Sequence, residues 1–316
     1  MEDRGELKRH HGGMVNEDTL DFSISVNPYK PDFLEKMYER ADSLSSKYIY
    51  YEELDEEFSK RLDVKCKLCA GTTESLYLLF MAFDGNVLLP EHCYGEYSRT
   101  AAIFNRKFSN HANPSETAQA GDLVFLCNPE SPTGYFHDEK YVSSFVKTCL
   151  AKNAIPVIDD AFIDFVENHE ARIYEGAIHL RTFTKIYGLP GIRVGYFIDP
   201  YGRLENYRMP WSLGSIGKSF CEKILEDDFK FPRKTLPLIW KEKNRISGLT
   251  NLKTDANYFF AKVKDIGVLK ENLKHKKIAV RDCESFGYPG YIRFCIRKPH
   301  ENDVLIDNIE KYIINE

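Results

Sequence analysis

Several things are missing from this 316-residue chain. No apolar run is long enough to cross a membrane. The longest, residues 76–83, is closed by Asp84, well short of the ~18 residues a span needs. Basic charge is not in excess: 43 Lys and Arg stand against 48 Asp and Glu, a net charge of -5. That balance excludes a chain whose main partner is nucleic acid or an anionic membrane. Residues 1–11 are charged from the start and hold no apolar core of a signal peptide, which predicts a cytoplasmic protein with reduced thiols. A zinc framework is missing too. Cys66 and Cys69 have C-x2-C spacing, but no second ligand pair at similar spacing follows. The other six cysteines are scattered, mostly among apolar residues, and read as small core hydrophobes. His10-His11 is too short for a metal tract, so no metal is predicted. Internal repeats and low-complexity segments are absent.

What is present is a globular composition, 43% hydrophobic and 29% charged, which can bury a sizeable core. The length is about twice the ~150-residue prior for one domain, so two domains or one large α/β unit is expected. Residues 1–30 read as an extended arm, and helices are predicted at 32–46 and 52–62. From there to Pro200, short apolar strands (87–89, 123–127, 155–158, 178–183, 194–198) alternate with helical stretches (74–83, 94–104, 138–151). Such alternation predicts an α/β fold with a mostly parallel central sheet and helices on both faces. After Pro210 come long helical stretches (212–225, 235–246), then strands at 258–263, 277–280 and 291–296 and a helix from His300. The predicted organisation is an N-terminal arm and helix (1–46) joining a smaller C-terminal α+β domain (211–316), with a large domain at 47–210 between them.

Ligands of open α/β sheets bind at the carboxyl ends of strands, so the residues after each strand matter most. After 123–127 comes Asn128-Pro129-Glu130-Ser131-Pro132-Thr133-Gly134, a loop stiffened by two prolines. After 155–158 comes Asp159-Asp160-Ala161-Phe162, and after 178–183 comes Thr184-Lys185. Ahead of the helix at 74–83 lies Gly71-Thr72-Thr73, a glycine turn with hydroxyls where free N–H groups and the helix dipole favour an anion. Each feature alone has a plain reading: a helix cap, a capping acid, a solvated lysine. Their conjunction is what pyridoxal phosphate requires: a lysine for its aldehyde, an acid for its ring nitrogen and a seat for its phosphate.

At these residues the sequence closely resembles fold-type I pyridoxal-phosphate enzymes of the aspartate aminotransferase superfamily. The stretch 182–196, Thr-Phe-Thr-Lys-Ile-Tyr-Gly-Leu-Pro-Gly-Ile-Arg-Val-Gly-Tyr, looks like the lysine motif. The resemblance implies that Lys185 is the Schiff-base lysine and that Arg193 binds the cofactor phosphate; Gly71, Thr72, Thr73, Thr182 and Thr184 are further cofactor-binding candidates. Asp159 matches the acid at the ring nitrogen, Phe162 a position often Tyr, and Tyr94 the residue stacked on the ring. Ser131 falls where the superfamily has an Asn near the cofactor O3′ and the substrate. Tyr48 matches a Tyr that reaches the cofactor phosphate of the partner subunit, which implies a homodimer with shared sites.

Two branches compete within the superfamily: histidinol-phosphate aminotransferases and the threonine-phosphate decarboxylases of cobalamin biosynthesis. Four features resemble the decarboxylases: His11-Gly12-Gly13, the Asp21-Phe22-Ser23 segment, Leu189-Pro190-Gly191 after the lysine, and Arg281 with Arg293 near the C-terminus. The resemblance runs from His11 to Glu301-Asn302-Asp303. By it, His11, Gly12, Ser25, Ser131, Arg281 and Arg293 contact substrate, the two arginines sharing a carboxylate and a phosphate in an order left open. The sequence departs from the pattern at Ser131 and Ser25, each in place of Asn, at Gly214, and in a shortened segment between Val15 and Leu20. The expected activity is decarboxylation of a phosphorylated amino acid, O-phospho-L-threonine or O-phosphoserine. The alternatives are transamination of a phosphorylated amino alcohol such as histidinol phosphate and, from another class, a catalytically silent ligand-binding protein. Intact Lys185, Asp159 and Arg193 speak against the last.

Overall fold

In the computed structural model, which describes residues 12–13, 16–169 and 171–314, seven strands form one sheet. Their order across it is Lys67–Cys69, Gly195–Ile198, Ile178–Thr182, Ile155–Asp159, Leu123–Cys127, Val87–Pro90 and Phe108–His111. Gly195–Ile198 is antiparallel to both its neighbours, and the remaining strands run parallel to one another. All five residues of Leu123–Cys127 are buried. Leu123 and Phe125 pack with Phe80 of helix Thr72–Ala82, while Val124 and Leu126 pack with Val142 and Phe145 of helix Glu139–Ala151. Helices on both faces explain why these strands read as continuous apolar runs rather than as alternating ones. The helix Glu139–Ala151 begins where Asp138 accepts a hydrogen bond from the Tyr141 N–H at 2.8 Å.

The three strands that deliver the predicted loops are neighbours, with Cys127 opposite Asp159 and Asp159 opposite Leu180. Because they are parallel, their carboxyl ends share one edge. The third of them ends at Thr182, and Phe183–Ile186 already forms one helical turn carrying Lys185.

A second, antiparallel sheet has the order Arg281–Asp282, Tyr291–Cys295, Tyr258–Lys262. The N-terminal arm is tied to the same region. Leu20–Asp21 pairs in parallel with Ile278–Ala279, and the Cys295 N–H donates to the Phe22 carbonyl at 2.9 Å.

Some elements differ from the sequence reading. The predicted helix 235–246 spans Lys230–Thr250. Pro232 sits in its first turn, where the missing N–H costs nothing, and Thr235, Ile239, Glu242, Ile246 and Thr250 give it a buried stripe. Strand Phe108–His111 escaped the reading because it is a polar edge strand whose first three residues are exposed. Helix Ile266–His275 buries only Leu269 and Leu273, and its signal was the cap, Asp265 accepting from the Val268 N–H at 2.9 Å. Among the described residues no helix is long and apolar enough to cross a membrane, and no three His, Cys, Asp or Glu gather to hold a metal. All eight cysteines are free thiols.

Candidate active site

A cleft opens between the carboxyl edge of the large sheet and the antiparallel sheet. Asp159, the last residue of its strand, lies at its floor and is 5% exposed. The Tyr97 hydroxyl donates to its Oδ2 at 2.5 Å and the Ala161 N–H to its Oδ1 at 3.0 Å. Burial pushes the carboxyl up to about 6 in spite of these two donors. A cation set against it would hold it ionised.

Lys185 extends into the same cleft from the turn that follows the next strand, its Nζ 5.7 Å from the centroid of the Phe162 ring. Thr182 shapes the turn: its Oγ1 donates to the Val194 carbonyl at 3.1 Å and accepts from the Thr184 N–H at 3.2 Å. The N-terminal arm fixes it from the other side. Asn27 donates its N–H to the Lys185 carbonyl at 2.9 Å, and its Nδ2 to the Ile186 carbonyl at 2.9 Å and to Thr235 Oγ1 at 2.8 Å. Burial, with Arg293 and Arg193 nearby, lowers the ammonium to about 8, against the pull of Asp159. An amine so depressed is a ready nucleophile near neutral pH.

Opposite the carboxylate, the first turn of helix Thr72–Ala82 lines the cleft with Thr72 and Thr73, beside Thr182, Thr184 and Arg193. Arg193 adopts a left-handed backbone (φ +58) and donates from Nη1 to the Pro190 carbonyl at 3.1 Å. Its other nitrogen lies over Gly71: a Cβ there would sit 2.8 Å from Nη2, and φ is +80. Only glycine lets the guanidinium settle on the helix start, where free N–H groups already favour an anion.

The remaining wall comes from the antiparallel sheet. Arg281 and Arg293 stand directly opposite each other on adjacent strands. Arg293 donates from Nη1 to Ser131 Oγ at 2.9 Å and lies 4.9 Å from the Tyr258 ring and 5.7 Å from Phe286. Its buried Nε has no hydrogen-bond partner among the described residues. Arg281 lies 5.4 Å from the same Phe286 ring and donates to Ser285 Oγ at 2.7 Å. Burial, and then Arg293, lowers its pKa. Two like charges placed face to face are a cost that an anionic ligand would offset.

The cleft thus gathers Gly12, Thr72, Thr73, Tyr94, Ser131, Asp159, Phe162, Thr182, Thr184, Lys185, Arg193, Arg281 and Arg293 of the residues singled out from sequence. Gly12 is held there by its neighbour: the Gly13 N–H donates to Ser23 Oγ at 2.8 Å, and Ser23 donates to Asp21 Oδ1. Gly71 stands behind Arg193 rather than on the wall. Ser25 is buried away from the cleft, its Oγ without a partner among the described residues. Tyr48 is 74% exposed, its ring tilted against Trp211 at 4.7 Å between centroids and off the wall of this chain's own cleft. His11 lies outside the described residues. Sequence reasoning missed Tyr97, Cys127, Ala161 and Phe286. Tyr97 carried a signal, an aromatic three residues after Tyr94, whose ring it meets edge-on at 5.6 Å. Phe286 carried none.

These residues fit pyridoxal phosphate. The glycine cradle under Arg193 and the first helical turn suit its phosphate, the buried carboxyl of Asp159, whose donors do not offset its burial, suits a protonated ring nitrogen, and the depressed amine of Lys185 lines the same cleft.

Residues 43–309 match the model of the family described as aminotransferase class I and II. The adenosylcobalamin biosynthesis bifunctional protein CobDQ of Leptospira interrogans is 28% identical over 95% of this chain, which spans only 40% of that protein's length. A histidinol-phosphate aminotransferase of Thermotoga sp. (strain RQ2) is 26% identical, with 90% of each chain covered. Among solved structures, the histidinol-phosphate aminotransferase of Clostridium acetobutylicum superposes with a TM-score of 0.81 at 21% identity, covering 92% of this chain and 98% of that one. The L-threonine-O-3-phosphate decarboxylase of Porphyromonas gingivalis gives 0.79 at 19%, with the same coverage. At such identities the structural likeness speaks for the fold alone.

Proposed function

The chain belongs to the class I and II aminotransferase family of pyridoxal-phosphate-dependent, fold-type I enzymes, and from that premise we propose that it decarboxylates a phosphorylated amino acid. The substrate is O-phospho-L-threonine, giving 1-aminopropan-2-yl phosphate, or O-phosphoserine, giving ethanolamine phosphate. The reaction would serve cobalamin biosynthesis. One observation carries this reading: Arg281 and Arg293 face each other across adjacent strands on the wall that also receives Gly12. Two guanidiniums at one point suit a ligand that brings a carboxylate and a phosphate together.

When bound, the cofactor supplies an aldehyde for the substrate amine and a protonated ring that accepts the electron pair left by a broken Cα bond. Thr72, Thr73 and Arg193 would hold its phosphate, and Tyr94 would cover a ring face. Asp159, steadied by Tyr97 and Ala161, would keep the proton on the ring nitrogen. Arg281 and Arg293 would choose the reaction by choosing how the substrate is turned. A misplacement of ~1 Å can cost about 100-fold. Lys185 Nζ would deliver the proton that replaces the departing carbon dioxide on Cα.

Residues 47–210 would then form the cofactor-binding domain, with 1–46 and 211–316 as the smaller domain that carries the substrate wall. Tyr48, exposed here, would meet the cofactor phosphate of a second copy in a homodimer. The second reading, transamination of histidinol phosphate, draws support from the Thermotoga relative. The test is a product assay. The protein is incubated with phosphothreonine, with phosphoserine, and with histidinol phosphate plus 2-oxoglutarate. Carbon dioxide without glutamate supports the decarboxylase; glutamate without carbon dioxide overturns it.

A further inference from the structure

The loop after strand Val87–Pro90 carries Tyr94 into the cleft, and two residues earlier it carries His92. His92 Nδ1 lies 3.1 Å from the carbonyl of Phe286, which belongs to the turn joining the two arginine-bearing strands. A carbonyl only accepts, so Nδ1 is the donor. The imidazole also packs on the Tyr288 ring at 4.2 Å between centroids. Gly287 makes the approach possible: its φ is +85, and a Cβ there would sit 2.6 Å from His92 Nδ1. Within the turn, Phe286 N–H and Tyr288 N–H both donate to the Cys283 carbonyl, at 2.9 and 3.1 Å, and the Tyr288 ring packs on Phe260 at 4.9 Å. From the loop of the large sheet, then, His92 bonds the backbone of Phe286, whose side chain lies within 6 Å of both guanidiniums, and packs on the ring two residues further on.

We propose that His92 is a positioning residue, a clasp that sets where the guanidinium pair stands relative to the ring face covered by Tyr94. It touches neither substrate nor cofactor. It acts through Phe286, whose ring packs against Arg281 and Arg293, so releasing the carbonyl lets the turn shift and changes the surface on which both guanidiniums are set, Arg293 remaining tied to Ser131. The proposal rests on the reading of those arginines as the substrate's anion seat.

The experiment measures calorimetric binding of 3-phosphoglycerate to the holoenzyme. This probe carries a carboxylate and a phosphate but no amine, so it occupies the seat without reacting. His92→Phe keeps a ring for Tyr288 and loses the donor; binding is expected to weaken about tenfold, as for one lost hydrogen bond. His92→Asn restores an N–H near the Nδ1 position and is expected to bind within about threefold of wild type. Cofactor absorbance and cofactor affinity stay unchanged in both, which a merely structural defect would not leave intact. Arg293→Ala is the control for the underlying reading. Weakening in both Arg293→Ala and His92→Phe, with rescue by His92→Asn, supports the clasp. Weakening in Arg293→Ala alone overturns the clasp and leaves the arginine seat standing. Weakening in neither, or no binding by the wild type, overturns both. Weakening in His92→Phe alone removes the arginines as the clasp's route and overturns it as well.

Discussion

Replacing Tyr97 by Phe deletes a single hydroxyl, fully buried and 2.5 Å from Asp159 Oδ2. Its cost is expected to depend on pH. Asp159 titrates near 6 because burial disfavours its charge. At pH 5 it is mostly protonated, and the deletion removes a neutral hydrogen bond worth about 1 kcal/mol. At pH 8 it is ionised, and the same hydroxyl serves a charge, worth about 1.5–3 kcal/mol. The penalty of the substitution should therefore grow by roughly 0.5–2 kcal/mol between the two pH values. The sign follows from proton binding. A carboxyl raised above its usual 3.8 keeps in the native state a proton that the unfolded chain has already released, so its contribution to stability falls as pH rises from about 4 to 6. Without Tyr97 the carboxyl rises further and the fall extends to higher pH. The assay is urea unfolding of the cofactor-free protein, wild type and variant, at pH 5 and pH 8. An equal penalty at both would show that the hydroxyl does not bear on the carboxylate, and the account of how Asp159 is held would be wrong.

Two other substitutions probe the rest of the cofactor seat. Lys185→Met supplied with cofactor should lose all turnover, and the same variant without cofactor should be more stable than cofactor-free wild type at pH 7, by on the order of 1–3 kcal/mol, because a buried ammonium is removed. Since Lys185 is depressed to about 8 from 10.5, the wild type regains stability as pH climbs through that window and the advantage disappears above it; residual turnover or a less stable variant refutes the assignment. Gly71→Ala places a methyl 2.8 Å from Arg193 Nη2 at a left-handed backbone position, so cofactor affinity by equilibrium dialysis should fall about tenfold or more, with about 1 kcal/mol of stability; an unchanged affinity detaches Arg193 from the phosphate seat.

What could be read from sequence was what local pattern encodes. The runs 123–127 and 155–158 are apolar because helices cover both faces of the sheet, and the loops that follow them stand out against them for the same reason, whereas Ile178–Thr182 carries buried His179 and Arg181, both hydrogen-bonded to Asp160. The polar strand Phe108–His111 had no such contrast, since its side chains face water at the sheet edge. The pairing of Tyr97 with Asp159 joins residues 62 positions apart, and that of His92 with Phe286 joins residues 194 apart. No periodicity reports contacts of that kind. Resemblance named Arg281 and Arg293, but only strand register shows them face to face. It also named Ser25, which the fold buries away from the cleft with its hydroxyl unpartnered among the described residues, so shortening Asn to Ser there alters what lies behind the wall.

The ties from Asn27 have a consequence for how the protein matures. This one side chain and its amide bond the lysine turn at residues 185 and 186 and reach forward to Thr235, spanning 208 positions of chain. Gly188 is pressed so close that a Cβ there would fall 2.4 Å from the Asn27 carbonyl oxygen. The turn that presents Lys185 is therefore finished only when the beginning of the chain and its last third have both arrived, and such distant closures come late in folding. A ribosome-bound chain stalled before residue 235 would hold the whole large sheet and both bonds from Asn27 to the lysine turn, yet lack the tie to Thr235 that anchors Asn27 from behind.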